Sequence, residues 1–119
     1  MQIKFNNGKI LNCLESLEQE EYYNGSNRRT LTVDFDKSYN FDELNKLVSD
    51  TENTKSIEVT ADGWQNVYDN YTIKLSLGVV QKLIEETTPD SPASYEERII
   101  LKLGKLTYIE AQLAALGIK

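Results

Sequence analysis

The sequence predicts an α+β fold that is mostly β, with an antiparallel sheet curled into a sandwich or a partly open barrel and two short helices. Three observations lead to this fold class. Several apolar runs alternate with polar residues at period two, which is the pattern of half-buried strands. Asn-Gly and Asp-Gly pairs, which form tight turns, lie beside these runs. Two segments instead place apolar residues at helical spacing behind a polar cap, giving the order β, β, β, α, β, β, β, α.

The chain begins with a β-hairpin signal. Residues 2–5 and 9–14 are strand-like runs, and Asn6-Asn7-Gly8 lies between them. Asn-Gly favours the positive φ angles of a tight primed turn, so the two runs are expected to pair antiparallel. The next segment, residues 15–27, is acidic at first and ends in Tyr22-Tyr23 before another Asn-Gly. It fits either a further strand or a loop.

A half-buried strand and a capped helix follow. Residues 28–35 alternate strictly, with Leu31, Val33 and Phe35 on one face. Asn40 can cap a helix of about ten residues, since its side chain can accept from the backbone three positions on. The apolar stripe of this helix consists of Phe41, Leu44, Leu47 and Val48.

The middle of the chain returns to strands. Residues 56–60 alternate, Asp62-Gly63 offers a turn, and residues 72–77 alternate again. Trp64, next to the turn, is expected in the core. Gly78 is placed where a bulge or bend would let the strand turn a barrel corner.

The last two strands enclose an exposed loop. Val79-Val80 favours a continuation of the strand through residues 79–84, and residues 95–103 form the final strand. Between them, residues 85–94 contain both prolines of the chain and are expected to be an exposed loop. No repeat or linker divides the chain, so residues 1–119 are expected to form one domain.

A second helix closes the sequence. Thr107 and Glu110 have the spacing of a capping box, and Gly117 suits a left-handed helix end. The helix is expected to end near Leu116. It is short enough to need packing against something else, and its apolar stripe consists of Ile109, Leu113 and Leu116.

Composition disfavours several classes of function. The chain has 19 acidic and 13 basic side chains, for a formal charge of −6, and lacks the basic stripe that a nucleic-acid binder needs. No run of apolar residues reaches the ~20 of a membrane span, and the first residues have no apolar run of signal-peptide length, so no secretory signal is expected. The single cysteine, Cys13, lies among apolar neighbours and is expected to be buried.

The sequence also predicts that the protein is not an enzyme and binds no metal or cofactor. It has no histidine, so it lacks imidazole acid–base chemistry and His-containing zinc sites. Residues 34–38 open like a calcium loop, but Tyr39 and Asn45 occupy the positions that need Gly and Glu. The acidic residues between positions 15 and 21 fit a solvated sheet edge better than a catalytic pair.

Protein binding remains, and two groups of residues are candidates for it. Tyr22 and Tyr23 are candidate anchors, because tyrosine brings much contact area at little entropic cost. The C-terminal helix is the second candidate, because its alanine-rich side allows close approach. The residues assigned to it are Tyr108, Gln112 and Ala115.

Short segments along nearly the whole chain carry a resemblance to a known group of proteins. They are Ile3-Lys4-Phe5 with Cys13, and residues 27–33, 41–44, 71–73, 95–99 and 107–116. In order and spacing they are similar to small proteins encoded in the tail modules of bacteriophages and prophages of Gram-positive bacteria. Such proteins have no known catalytic residues to transfer to this chain.

The resemblance implies a virion-structural or assembly role, since small β-barrels with an added helix recur among tail-tube and baseplate parts. Its partners would be other tail proteins or further copies of itself, with synthesis in the host cytoplasm and a final location in the virion. The alternative is a small acidic phage-encoded inhibitor whose charge replaces nucleic acid on a host or defence protein.

Overall fold

A computed structural model describes residues 1–23, 25–85, 88–90 and 92–117, and confirms the predicted α+β class. Within these residues the chain forms eight strands and three helices. The strands are β1 Gln2–Lys4, β2 Ile10–Asn12, β3 Glu15–Tyr23, β4 Ser26–Asp36, β5 Ser56–Ala61, β6 Trp64–Asp69, β7 Ile73–Glu85 and β8 Ser94–Gly104. The helices are α1 Phe41–Ser49, α2 Thr51–Thr54 and α3 Tyr108–Ala115.

The strands form two antiparallel four-stranded sheets that pack into a sandwich. The first sheet has the order β2-β1-β5-β6 and the second the order β3-β4-β8-β7. A single cluster of buried apolar side chains joins them. The sandwich alternative is therefore the correct one, since each described sheet ends in edge strands.

The two central strands of the second sheet supply much of this core. The predicted alternation holds, because Leu31, Val33 and Phe35 of β4 are buried. Each lies opposite another buried residue of β8 in the pairs Leu31–Leu103, Val33–Leu101 and Phe35–Ile99. Facing them, the first sheet contributes Ile3, Ile57, Val59 and Tyr68.

The first hairpin is confirmed, but its turn is wider than predicted. The Gly8 N–H donates to the carbonyl of Phe5 at 2.9 Å, and the Phe5 N–H donates to that of Lys9 at the same distance. Gly8 has φ +90°, whereas Asn70 is the only non-glycine with positive φ among the described residues. A primed turn needs positive φ at its first central residue at least, and neither Asn6 nor Asn7 has it, so the loop is instead a turn followed by a left-handed glycine.

The segment that the sequence left open between strand and loop is a strand. β3 pairs with β4 along its whole length, from Glu15 opposite Asp34 to Tyr23 opposite Ser26. Because β3 is an edge strand, its glutamates lie where charge protects a sheet from unwanted pairing.

The two predicted helices are present, and a third is added. The Asn40 side chain caps α1 by accepting from the Glu43 N–H at 3.0 Å, and Leu44 and Val48 are buried. The extra helix, α2, is a single polar turn capped by Asp50. Its sequence, Thr-Glu-Asn-Thr, contains no apolar residue, so periodicity could not reveal it.

Two local predictions are wrong. Gly78 lies opposite Ile100 in regular pairing, and the register shifts fall instead between Lys74 and Ser76 and between Leu83 and Glu85. Trp64 is 42% exposed, because it begins an edge strand at the end of the β5–β6 hairpin, where little of the other sheet covers it.

Cys13 is buried, as predicted, and burial raises the pKa of its thiol.

The hairpin of β7 and β8 continues past the sandwich. β4 pairs with β8 only as far as Arg98, whereas β7 and β8 pair onward to Glu85 and Ser94. We call residues 79–85 and 94–97 the arm; its first two residues, Val79 and Val80, still lie opposite the last β8 residues that pair with β4. It contributes to an elongated outline of 59 × 31 × 31 Å. Of the predicted loop, residues 88–90 are exposed, and residues 86, 87 and 91 lie outside the described residues.

Candidate protein-binding surfaces

Arg28 fixes the end of the molecule that carries α3. Its side chain is only 1% exposed, and Nη1 donates to Glu110 of α3 at 2.7 Å. The same guanidinium donates to the carbonyls of Lys105, at 3.0 Å, and of Tyr23. One buried cation therefore links the β3–β4 hairpin, the end of β8 and the helix.

The buried guanidinium also explains a glycine. A Cβ atom at Gly104 would lie 3.2 Å from Arg28 Cδ and 3.4 Å from Ile73 Cβ. A side chain there would have to displace the arginine stem or the neighbouring strand. Glycine at position 104 is what lets Arg28 cross the sheet to reach α3.

The first turn of α3 is the predicted capping box. The Glu110 N–H donates to Thr107 Oγ1 at 3.3 Å, and the Glu110 carboxylate accepts from the Thr107 N–H at 2.9 Å. The hydrogen bond from Arg28, with that from Thr107, lowers the pKa of Glu110 to about 2. The carboxylate is therefore charged at neutral pH and joins the cap to the ion pair.

The residues predicted to bind partners lie at this end. Tyr22 is 73% and Tyr108 79% exposed, while the Tyr23 ring is 5.8 Å from the Arg28 guanidinium carbon. Gln112 is exposed, and Ala115 is also exposed at a shallow cleft shared with α2. The tyrosines and the helix are thus brought together through Arg28, and their role in binding stays a prediction.

The apolar stripe of α3 is exposed to solvent. Ile109, Leu113 and Leu116 are all exposed, and no residue of the helix is buried. The sequence predicts that so short a helix needs packing for stability, and the capping box and Arg28 are polar contacts that hold it here. Its exposed stripe is a candidate surface for a partner.

The arm is a second exposed apolar surface. Leu83 and Tyr95 lie directly opposite one another. They are on the sheet face that, within the sandwich, points into the core, and Val79 lies on the same face. Their exposed fractions are 44%, 60% and 55%. Val80, on the opposite face, is also exposed. Since the first sheet does not cover the arm, these side chains are available to another protein.

An ionic cluster secures the base of the arm. Asp34, which is buried, accepts from Lys82 at 2.6 Å and from Arg98 at 3.1 Å. Glu15 also pairs with both cations, and Glu96 bonds to Arg98 at 3.0 Å. Burial alone would lower the pKa of Lys82, but the hydrogen bonds to Asp34 and Glu15 raise it. The cluster connects β3 and β4 to both strands of the arm.

One feature of the sequence indicates an exposed side chain in the arm. Val79 and Val80 are adjacent, so a strand must place one on each face. A strand of a sandwich buries a single face, and one of two adjacent valines must then be exposed. The protrusion itself could not be seen, because it depends on where β4 ends.

A polar cluster lies near the middle of β3. The Tyr71 hydroxyl donates to Glu18, which also accepts from Arg29 at 2.8 Å. Burial, followed by the bond to Glu18, raises the pKa of Tyr71 above its ordinary range. Burial alone would raise the pKa of Glu18, but the bonds from Tyr71 and Arg29 lower it.

Most of the acidic edge is paired with cations. Glu15 pairs with Lys82, Glu18 with Arg29, and Glu21 with Lys102 at 2.7 Å. Glu15 and Glu21 lie on one face of β3 and Glu18 on the other. The strand therefore offers less free negative charge than the sequence implies.

An open groove of about 600 Å³ lies between α1 and the first hairpin loop. Its ionisable side chains, Lys9, Glu43 and Lys46, are exposed to solvent.

Across residues 1–23, 25–85, 88–90 and 92–117, no three Cys, Asp or Glu side chains are grouped so as to hold a metal ion. Among the helices described, none has the length and apolar character needed to cross a bilayer.

Comparison of the chain with protein-family models, with curated proteins and with solved structures found no match.

Proposed function

We propose that this protein is a structural protein of a phage or prophage tail, or of its baseplate, and that it acts by binding other tail proteins or further copies of itself. The observation that carries the proposal is the arm, a two-stranded hairpin with exposed Val79, Leu83 and Tyr95. A two-stranded hairpin is marginal on its own in water, and a partner that covers its apolar face would stabilise it.

The α3 end supports the same role. The helix is held in place by Arg28 and its capping box, yet its apolar stripe is exposed. A positioned helix with free apolar side chains is suited to packing against a neighbouring subunit. The tail assignment rests on the sequence resemblance, and the assembly role rests on these two surfaces. No cofactor is needed for either.

The test is co-expression with the proteins encoded by the neighbouring genes. The wild-type chain should co-purify with tail proteins among them. Leu83→Ser with Tyr95→Ser should reduce capture at least tenfold, because both apolar contacts of the arm are lost. Leu113→Ser with Leu116→Ser tests α3 in the same way. Ile10→Ser is the matched control, since Ile10 is an exposed aliphatic residue on the other sheet.

Mass spectrometry of purified tails gives the second measurement. The protein should be present at a fixed ratio to the other tail components, or should be bound to them during assembly. Equal capture by the wild type and both double variants, together with absence from tails and assembly complexes, would refute the proposal.

The inhibitor hypothesis receives less support, because three of the four β3 glutamates are paired with cations. It makes a different prediction in the same experiment. An inhibitor would capture one identified host protein at a defined ratio, and charge reversal on β3 would abolish that capture while the arm substitutions would not.

A further inference from the structure

The free edge of β7 differs from the other sheet edges that the structure describes. β2 has three residues, β6 has six, and β3 carries four glutamates along its nine residues. β7 has 13 residues and ends the order β3-β4-β8-β7. A long edge strand presents a row of backbone N–H and C=O groups to which another strand can pair.

Residues 76–83 form the regular part of this edge. The two register shifts of the β7–β8 pair fall on either side of it, and pairing between them is uninterrupted. Bulges within an edge are one way that proteins prevent sheet-to-sheet pairing, and this stretch has none. The helix α1 reaches only the beginning of β7, where Lys74 bonds to Asn45 and Ser49.

Charge protects this edge poorly. Lys82 is the only charged residue among residues 76–83. Its ammonium extends back over its own sheet to Asp34, at 2.6 Å, and to Glu15. The lysine that would normally repel an incoming strand is therefore held away from the edge. Val79 and Val80 are exposed, one on each face.

We propose that the β7 edge pairs with the β7 edge of a second copy of this chain, antiparallel across a two-fold axis through Val80. The proposal rests on the assembly role given above and names the partner. In this register Val80 opposes the partner's Val80, and Leu77 opposes the partner's Leu83. Lys82 then opposes the partner's Gly78, so no like charges meet.

A second copy is the occupant because the edge complements itself. Residues 77–83 lie wholly within the regular stretch. The two-fold axis places the core-side faces of both copies on the same side of the joined sheet. The second sheets of two molecules would then join as one eight-stranded sheet. Backbone hydrogen bonds would join the two strands, and the opposed valines and leucines would determine the register of the pairing.

A symmetric disulfide tests the register directly. Opposed Cα atoms on antiparallel strands lie about 4.5–5.5 Å apart, within the roughly 4.4–6.8 Å that a disulfide spans. Val80→Cys should therefore oxidise to a covalent dimer. In Gln81→Cys the two cysteines would be displaced along the strands, about 8 Å apart, and should cross-link at least tenfold more slowly. Wild type, with its buried Cys13, is the background control.

Charge pairing at the same position gives a second measurement. Wild type should sediment as a dimer. Val80→Lys and Val80→Glu should each be monomeric, because like charges would oppose one another on the axis, and a mixture of the two should regain the dimer. A monomeric wild type, or equal cross-linking of the two cysteine variants, would overturn the proposal. If pairing fails but the arm and α3 substitutions still abolish capture of tail proteins, the assembly role stands and only the β7 pairing falls.

Discussion

At the scale of single residues, Arg28 and Glu110 determine where α3 lies. The arginine is buried, and the carboxylate it meets also closes the capping box. Losing either partner would leave a charge without its main contact, which costs more than the pair contributes when intact. The helix position therefore depends strongly on a few polar atoms.

This dependence gives a pH prediction for Glu110→Gln. At neutral pH the variant should unfold with a free energy about 1 kcal/mol lower than wild type, the size of one lost hydrogen bond. The wild-type pKa of Glu110 is lowered to about 2, so its stabilising effect is complete above its unfolded pKa of about 4.5. That effect is lost as pH falls from about 4.5 to 2, and the gap between the two proteins should close there.

Urea unfolding at several pH values measures the gap. Glu20→Gln on the neighbouring strand is the control, because Glu20 is an exposed carboxylate. A gap that stays constant between pH 6 and pH 2 would mean that the Glu110 charge does not stabilise the helix.

At the scale of elements, the arm depends on the ionic cluster at its base. Beyond Arg98 the arm has no neighbouring strand in the described part of the second sheet, so it gains no ladder hydrogen bonds from β4. The cluster is then the main tie between the arm and the sandwich. Elements with few buried apolar contacts open locally at low free-energy cost.

Asp34→Asn should loosen the arm while sparing the core. The substitution weakens two charge-assisted hydrogen bonds, at a cost of about 1.5 kcal/mol, or roughly tenfold faster amide exchange for residues 79–83. Hydrogen exchange followed by mass spectrometry resolves this segment. Exchange of β5, in the other sheet, should change little.

Asp36→Asn is the matched control, because Asp36 lies on the same strand but bonds locally to the Ser38 N–H. Equal exchange in wild type and Asp34→Asn would show that the cluster does not hold the arm.

The elements differ in how much the sequence could predict. Strands with one buried face, such as residues 28–35 and 95–103, have strict alternation and were predicted closely. Both main helices were predicted from Asn40 and Thr107, because capping is a local interaction. The sequence does not reveal α2, and it leaves β3 open between strand and loop. Both segments are mostly polar, and polar residues carry no periodic signal.

The exposure of the candidate surfaces could be predicted from the sequence only in part, and their role in binding stays a prediction. Tyr22, Tyr108 and Gln112 are exposed at one end, as a binding role requires. The arm was not predicted as a surface, because its exposure depends on the end of β4, about 60 residues earlier in the chain. Pairing between distant strands leaves little trace in either strand alone.

At the scale of the molecule, one core supports two extensions. The Cα radius of gyration is 15.9 Å, whereas a compact chain of this length has about 13.5 Å. The arm and α3 carry exposed apolar side chains outside a core shared by both sheets. The sandwich thus acts as a scaffold that presents two surfaces separated along its length.

The strand order β3-β4-β8-β7 has a consequence for synthesis on the ribosome. β4 must wait for β8, made about 60 residues later, which at cellular rates takes on the order of 3 to 12 s. During that time Leu31, Val33 and Phe35 lack their partners. A fragment of residues 1–93 should therefore be unfolded by circular dichroism, whereas residues 1–106 should form the sheets. Until β8 emerges, chaperone binding or rapid synthesis would have to keep the nascent chain from aggregating.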